Sequence, residues 1–181
     1  MLRTIAVCIV AAAALAGSPT SATGGGERAR IDRFATGLRA ERDRLGRADG
    51  DVAQAMRAAF RQGSQDSARA ALAQYAGALQ GLLSAAVPPP KLGGCYARAR
   101  PSLVEARTLA TTALNDRRMR VSALAAITYR PLTLPDFGSV MTSPAAAEKE
   151  NKAIEAGLGK ADMNAKTCEA EERRRALGKT P

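Results

Sequence analysis

Histidine and tryptophan are missing from this chain, and cysteine and the other aromatic residues are scarce: three Cys, three Phe and three Tyr among 181 residues. Without His there is no Ser-His-Asp or Cys-His catalysis, no His-ligated zinc, copper or haem, and no histidine switch near neutral pH. Haem bundles are excluded by the same absence, since neither a Cys-x-x-Cys-His sequence nor an axial His exists. No glycine-rich phosphate loop follows a strand. Strands themselves are not expected, because clusters of β-branched residues with alternating polarity are absent and forty alanines, together with many arginines, favour helix. With so few bulky groups the predicted core is thin, and no cofactor is expected.

Long apolar runs are lacking too. The one candidate, Ile5 to Ala16, falls short of the about twenty residues a stable membrane anchor needs. Arg3 precedes it and Ala14-Leu15-Ala16 closes it, the pattern of a secretory signal peptide over residues 1–16, with a second cleavage option after Ala22. The mature protein is therefore expected to be periplasmic or secreted, with no stable membrane span after cleavage. Removal of the leader takes Cys8 with it and leaves Cys95 and Cys168, an even pair that predicts one disulfide in an oxidising compartment. No Cys-x-x-Cys motif supports a redox-active pair.

Acidic residues are the minority: 27 Lys and Arg stand against 17 Asp and Glu. Loss of Arg3 leaves a net charge near +9, from 26 bases less 17 acids. Residues 91–135 hold eight basic and two acidic side chains, and so supply six of those nine charges. On an exported protein such a segment faces anionic envelope polymers or lipid headgroups. Arg117, Arg118 and Arg120 are the candidate anion-binding residues, because guanidinium forks match phosphate and sulfate. Arg173, Arg174 and Arg175 offer a weaker cluster near a helix end, where cations also offset the helix dipole. Nucleic acid is not an expected partner, since aromatic groups for base stacking are few and export removes most targets.

What the chain has in quantity is helical periodicity. After a flexible leader over residues 17–26, apolar or small positions at 31, 34, 38, 45, 48, 52, 55 and 59 predict one long helix from near Glu27 to near Gly63, kept in phase across the turn signal Asp49-Gly50. Ser64, Asp66 and Ser67 supply capping oxygens for the next helix. Its stripe, Ala68, Leu72, Tyr75, Leu79, Leu82 and Ala86, runs until Pro88-Pro89-Pro90 ends it. Pro101 can open a third helix through Leu103, Ala106, Ala110, Ala113, Val121, Leu124 and Ile127, ending before Pro131. Residues 131–143 are read as irregular. Ser143-Pro144 then opens a fourth helix with Ala147, Asn151, Ile154, Leu158, Ala161, Ala165 and Cys168 on one face.

These elements predict an all-α, antiparallel four-helix bundle of up-down-up-down type over residues 27–176, with a tail at 177–181. That topology brings Cys95 towards Cys168. The fit is imperfect, because Cys95 lies 35 residues before the end of the third helix and Cys168 only 24 after the start of the fourth, a mismatch of about 16 Å at 1.5 Å per residue. The connecting loop or a break at Pro101 must absorb it.

The expected function is non-enzymatic: a binding or interaction module of the bacterial cell envelope, meeting anionic components or another envelope protein. A hydrolase or lyase using carboxylates alone is one alternative, and a self-associating structural protein, a homo-oligomer, is another. Glu148, Glu150 and Glu155 are read as partners of Lys149, Lys152 and Lys160 on a solvated helix face. Glu105 and Asp116 are read as partners of Arg107, Arg117 or Arg120. Metal ligands are not expected.

Overall fold

The computed structural model describes residues 23–178. The predicted signal peptide with Cys8, leader residues 17–22 and tail residues 179–181 lie outside the described residues. All regular structure among the described residues is helical: α1 (Thr23–Arg61), α2 (Gln65–Gln80), a 3₁₀ segment (Gly94–Ala99), α3 (Arg100–Ala125), the short α4 (Leu134–Val140) and α5 (Pro144–Ala176).

Four of these helices are long, and α1 packs on α2, α2 on α3, α3 on α5 and α5 on α1. Side-chain pairs give the directions. Arg28 bonds Asp162 while Arg39 and Arg42 bond Glu155, so α1 and α5 run oppositely. Arg69 reaches the carbonyls of Ile127 and Arg130 while Arg118 reaches those of Leu79 and Gln80, which sets α2 against α3. Asn164 bonds the Arg98 carbonyl and Glu150 meets Arg117, which sets α5 against α3. The arrangement is compatible with the predicted bundle.

Helix α1 stays unbroken across Asp49-Gly50, its buried face running through Ile31, Phe34, Leu38, Leu45, Val52, Met56 and Ala59. It starts at Thr23, inside the segment predicted to be leader. Arg28 accounts for this, tying the first turns by bonds to Asp32 and across to Asp162. Gly63 adopts φ +64°, a conformation that favours glycine, and Ser64 caps α2 by accepting the Ser67 amide.

Helix α2 stops six residues short of the predicted Ala86. Gly81 ends it, and Leu83, in the left-handed region at φ 66°, takes the buried place expected for Leu82. That strained backbone is held from both sides: the Leu83 amide donates to Glu41 Oε2 at 3.1 Å, and Arg107 Nη2 donates to the Leu83 carbonyl at 2.6 Å. The break leaves much of α1 without a helical partner from α2. With 39 residues α1 spans about 58 Å, and α2 with 16 covers about 24 Å of it. The extended stretch Ala85–Pro90 then lies along Arg30–Gly37, and Gly93 arrives beside Glu27.

The region read as irregular contains α4. Thr133 accepts the Asp136 amide while the Asp136 carboxylate accepts the Thr133 amide, a reciprocal capping box, and Pro135 sits in the first turn where its missing amide is harmless. Phe137 is buried against Phe60, ring centroids 6.1 Å apart, so α4 closes the end of the bundle beside the α1–α2 turn. Helix α3 starts one residue before Pro101 and ends at Ala125, well before Pro131, where Arg69 takes up the carbonyl of Ile127. On α5, Asn151 is exposed rather than part of the buried face, and Gly157 joins that face instead. A Cβ there would lie 3.1 Å from that of Ala106 and 3.3 Å from the Ser102 carbonyl, so glycine permits the close approach of α5 to α3.

The shorter α3 and the 3₁₀ segment remove the length mismatch. Cys95 and Cys168 have Cα atoms 5.4 Å apart, a separation that permits a disulfide.

Candidate functional site

Four polar side chains meet inside the molecule, one from each long helix: Asp49 of α1, Tyr75 of α2, Arg117 of α3 and Glu150 of α5. Each falls in phase with an apolar stripe. Asp49 sits between Leu45 and Val52, Arg117 four residues from both Ala113 and Val121, and Glu150 between Ala147 and Ile154. Helical geometry carries them inward with their neighbours.

Arg117 is 2% exposed. Its Nε donates to Asp49 Oδ2 at 2.9 Å, its Nη2 to Glu150 Oε2 at 2.9 Å and its Nη1 to the Ala113 carbonyl at 3.0 Å. The Tyr75 hydroxyl donates to the other Asp49 oxygen. Burial by itself lowers the pKa of the guanidinium, but the bonds and charges of Glu150 and Asp49 outweigh it and raise the value above the usual arginine range. Burial pushes the Tyr75 hydroxyl up as well, and the bond to Asp49 adds to that. Next to this cluster Glu41, 6% exposed, accepts from Leu83 and from Arg44 Nη1 at 2.9 Å. Glu41, Asp49, Arg117 and Glu150 border a cavity of about 50 Å³, a volume suited to a water or two.

The three predicted anion-binding arginines do not converge. Arg117 faces the interior. Arg118 closes the C-terminal end of α2, donating to the Leu79 carbonyl at 2.7 Å and the Gln80 carbonyl at 2.9 Å. Arg120 pairs with Asp116 on its own helix and reaches the Met141 carbonyl. The rest of the basic middle segment is engaged similarly. Arg107 donates to the Leu83 and Ala86 carbonyls, both at 2.6 Å, and burial lowers its pKa against a weaker pull from Glu41. Arg98 pairs with Glu171, Arg100 reaches the Pro89 carbonyl, and Arg130 grips Asp136 with two bonds. All seven arginines between 91 and 135 thus donate to the protein itself.

The acids are also placed differently from the solvated face predicted for α5. Glu150 pairs with Arg117 and Glu155 with Arg39 and Arg42, all across helix interfaces. Glu148 keeps an intrahelical pair with Lys152, and Asp116 its expected partner Arg120. Asp49 reads in the sequence as part of the turn signal Asp49-Gly50, and Glu41 belongs to no motif. The signal for both was phase: Glu41 lies between Leu38 and Leu45 just as Asp49 lies between Leu45 and Val52.

Exposed cations remain on the outer face of the C-terminal half of α1. Arg47, Arg57 and Arg61 are exposed there, and neither Arg47 nor Arg61 makes a side-chain hydrogen bond or ion pair among the described residues. Gly50, Gln54, Arg57, Ala58 and Arg61 line a shallow depression of about 420 Å³. Arg173, Arg174 and Arg175 are exposed in the last turn of α5.

A third cluster lies at the far end of α5. Sγ of Cys95, Sγ of Cys168 and a carboxylate oxygen of Glu172 fall within 4.8 Å of one another, the one group of three potential metal ligands of the His, Cys, Asp and Glu types among the described residues. The Tyr96 hydroxyl donates to Glu172 Oε2 at 3.4 Å.

No known protein family, curated protein or solved structure matches this chain.

Proposed function

We infer that this is an exported, non-enzymatic four-helix bundle of up-down-up-down type, freed of its signal peptide, that binds an anionic component of the cell envelope through exposed arginines. The observation that carries the reading is the division of the basic residues. All seven arginines of the middle segment donate to carbonyls or acids of the protein, whereas on α1 Arg47 and Arg61 are exposed with no side-chain hydrogen bond or ion pair among the described residues, and Arg57, also exposed, bonds only the Ala53 carbonyl of its own helix. The contact surface is accordingly sought on α1 rather than on the segment the charge count singled out. Such a surface favours phosphate-bearing headgroups or polymers, each cation near an anionic layer contributing about 1 kcal/mol. A Cys95–Cys168 disulfide suits the oxidising compartment this reading calls for.

The test is sedimentation with phosphatidylglycerol vesicles and with neutral phosphatidylcholine vesicles over a range of salt. Binding should be confined to the anionic vesicles and fall steeply with salt, and Arg47→Glu, Arg57→Glu and Arg61→Glu combined should abolish it. Binding that ignores both salt and the triple substitution would sink the reading.

The carboxylate-dependent alternative has one observation in its favour, the convergence of Glu41, Asp49 and Glu150 on one cavity. At about 50 Å³ that cavity is far below the range of substrate pockets. Self-association draws on exposed Leu109 and Met119, which flank a shallow depression between α3 and α5. A mass that rises with concentration in light scattering would favour it.

A further inference from the structure

We propose that the reduced form of the Cys95–Cys168 pair, together with Glu172, is a binding site for a soft divalent metal ion, with zinc the best match. Three ligand atoms already lie within 4.8 Å of one another, close enough to share one ion after small side-chain rotations. Cys168 and Glu172 are four residues apart on α5, a spacing that places two side chains on one face of a rigid helix and so aims them at a common point. Cys95 comes from the 3₁₀ segment, which is pinned to α5 independently of the sulfurs by the Arg98–Glu171 pair and by Asn164 on the Arg98 carbonyl. These two contacts join the 3₁₀ segment to α5 in addition to the disulfide.

The surroundings add two features. Tyr96, 2% exposed, donates to Glu172 and holds its carboxylate on the side of the sulfurs, the kind of outer contact that orients a metal ligand. Cys168 is fully buried while Cys95 and Glu172 are not, which leaves the solvent side open for a fourth ligand, water or an external group. Two thiolates select zinc or a comparably soft ion over magnesium or calcium.

The chemistry balances through a dithiol or phosphine reductant. Two electrons and two protons convert the disulfide into two thiols as the reductant is oxidised, and the ion then displaces both thiol protons. The oxidised pair has no thiolate to offer, so metal binding and the disulfide exclude each other.

The experiment is anaerobic titration of the full chain with Co²⁺, before and after reduction with a phosphine that is then removed, with circular dichroism in parallel. Reduced protein should take up one Co²⁺ per chain, with the near-ultraviolet charge-transfer band of thiolate ligation and visible bands of a four-coordinate ion; oxidised protein should show neither. Glu172→Gln should weaken binding by at least about tenfold, because even changes outside the ligand set cost about 10- to 100-fold. Arg174→Gln, two residues from Glu172 but exposed and outside the cluster, should bind as the parent does. Absence of stoichiometric uptake by the reduced chain would overturn the proposal, as would uptake unaffected by Glu172→Gln. If reduction unmade the helices, Glu172 would lose its place beside the sulfurs and Glu172→Gln would have no effect, which also counts against it.

Discussion

Arg117 is the one basic side chain that is buried among the described residues. In a domain with few large apolar groups, a guanidinium at the centre is tolerable because Asp49, Glu150 and the Ala113 carbonyl receive its donors. Replacing it by Ala would leave two carboxylates facing each other with no counter-charge. We expect Arg117→Ala to lower stability by about 3–5 kcal/mol in denaturant unfolding. Adding Asp49→Leu and Glu150→Leu to Arg117→Leu should recover more than half of that loss, because the penalty lies in uncompensated charge rather than in the absence of the pair. Tyr75 makes a separate prediction. Its hydroxyl is held protonated above the ordinary tyrosine value of about 10. The folded state therefore binds this proton more tightly, and the resulting stability is present below about pH 10 and lost as pH rises beyond it. Urea midpoints followed from neutral to alkaline pH should fall less steeply in Tyr75→Phe. None of this required a motif to be found: Arg117 stands out in the sequence as part of Arg117-Arg118-Met119-Arg120, and its phase with Ala113 and Val121 is the better guide to where it goes.

Among the four long helices, α5 buries the fewest bulky apolar side chains. Of its large apolar side chains Ile154 and Leu158 are buried, whereas Met163 and Leu177, just past its end, are exposed. Its remaining attachments are small-residue packing at Gly157, Ala161 and Ala165, ion pairs to α1 and α3, and the Cys168 tether. Closing a loop of 73 residues contributes about 4 kcal/mol as an upper estimate. Reduction in metal-free buffer should thus loosen residues 144–176 first. Amide exchange should show protection falling there while the α1–α2 pair keeps its own; uniform protection before and after reduction would refute this. The elements also mark where periodicity misleads. The α2 stripe stays in phase to Ala86, yet the helix ends at Gln80, because Glu41, Arg107 and Arg118 supply partners for backbone groups that more turns of helix would otherwise have satisfied internally. Helix α4 is the converse case: Pro135 sits in its first turn, and Thr133 and Asp136 around it carry a helix-start signature.

For the whole molecule, charge holds the helices together more than it advertises a ligand. The seam between α1 and α5 is carried by Glu155, whose pKa is held down by Arg39 and by Arg42, and by Asp162, held down by Lys166 and Arg28. Both carboxylates ionise more readily folded than unfolded, so their contribution is present above the unfolded value of about 4 and is lost as pH falls through the folded one. Acid unfolding should begin at this seam. Glu155→Gln with Asp162→Asn should lower stability at neutral pH and flatten the acid limb, which denaturant midpoints between about pH 2 and pH 7 would reveal.

Composition, propensity and a period of three and four residues determined by themselves that this is an all-helical protein without histidine chemistry, with a turn at Gly63 and with two cysteines spaced to meet. These are local properties, or consequences of what is absent, and a single chain carries them in full. The tertiary structure alone decided which charges face each other. Whether an arginine in phase with the core finds Asp49 and Glu150, or whether Arg107 and Arg118 reach carbonyls freed where α2 stops, depends on where neighbouring helices end and how closely they approach. Those are distances between segments far apart in the chain, and they committed the arginines of the most basic stretch to partners within the protein.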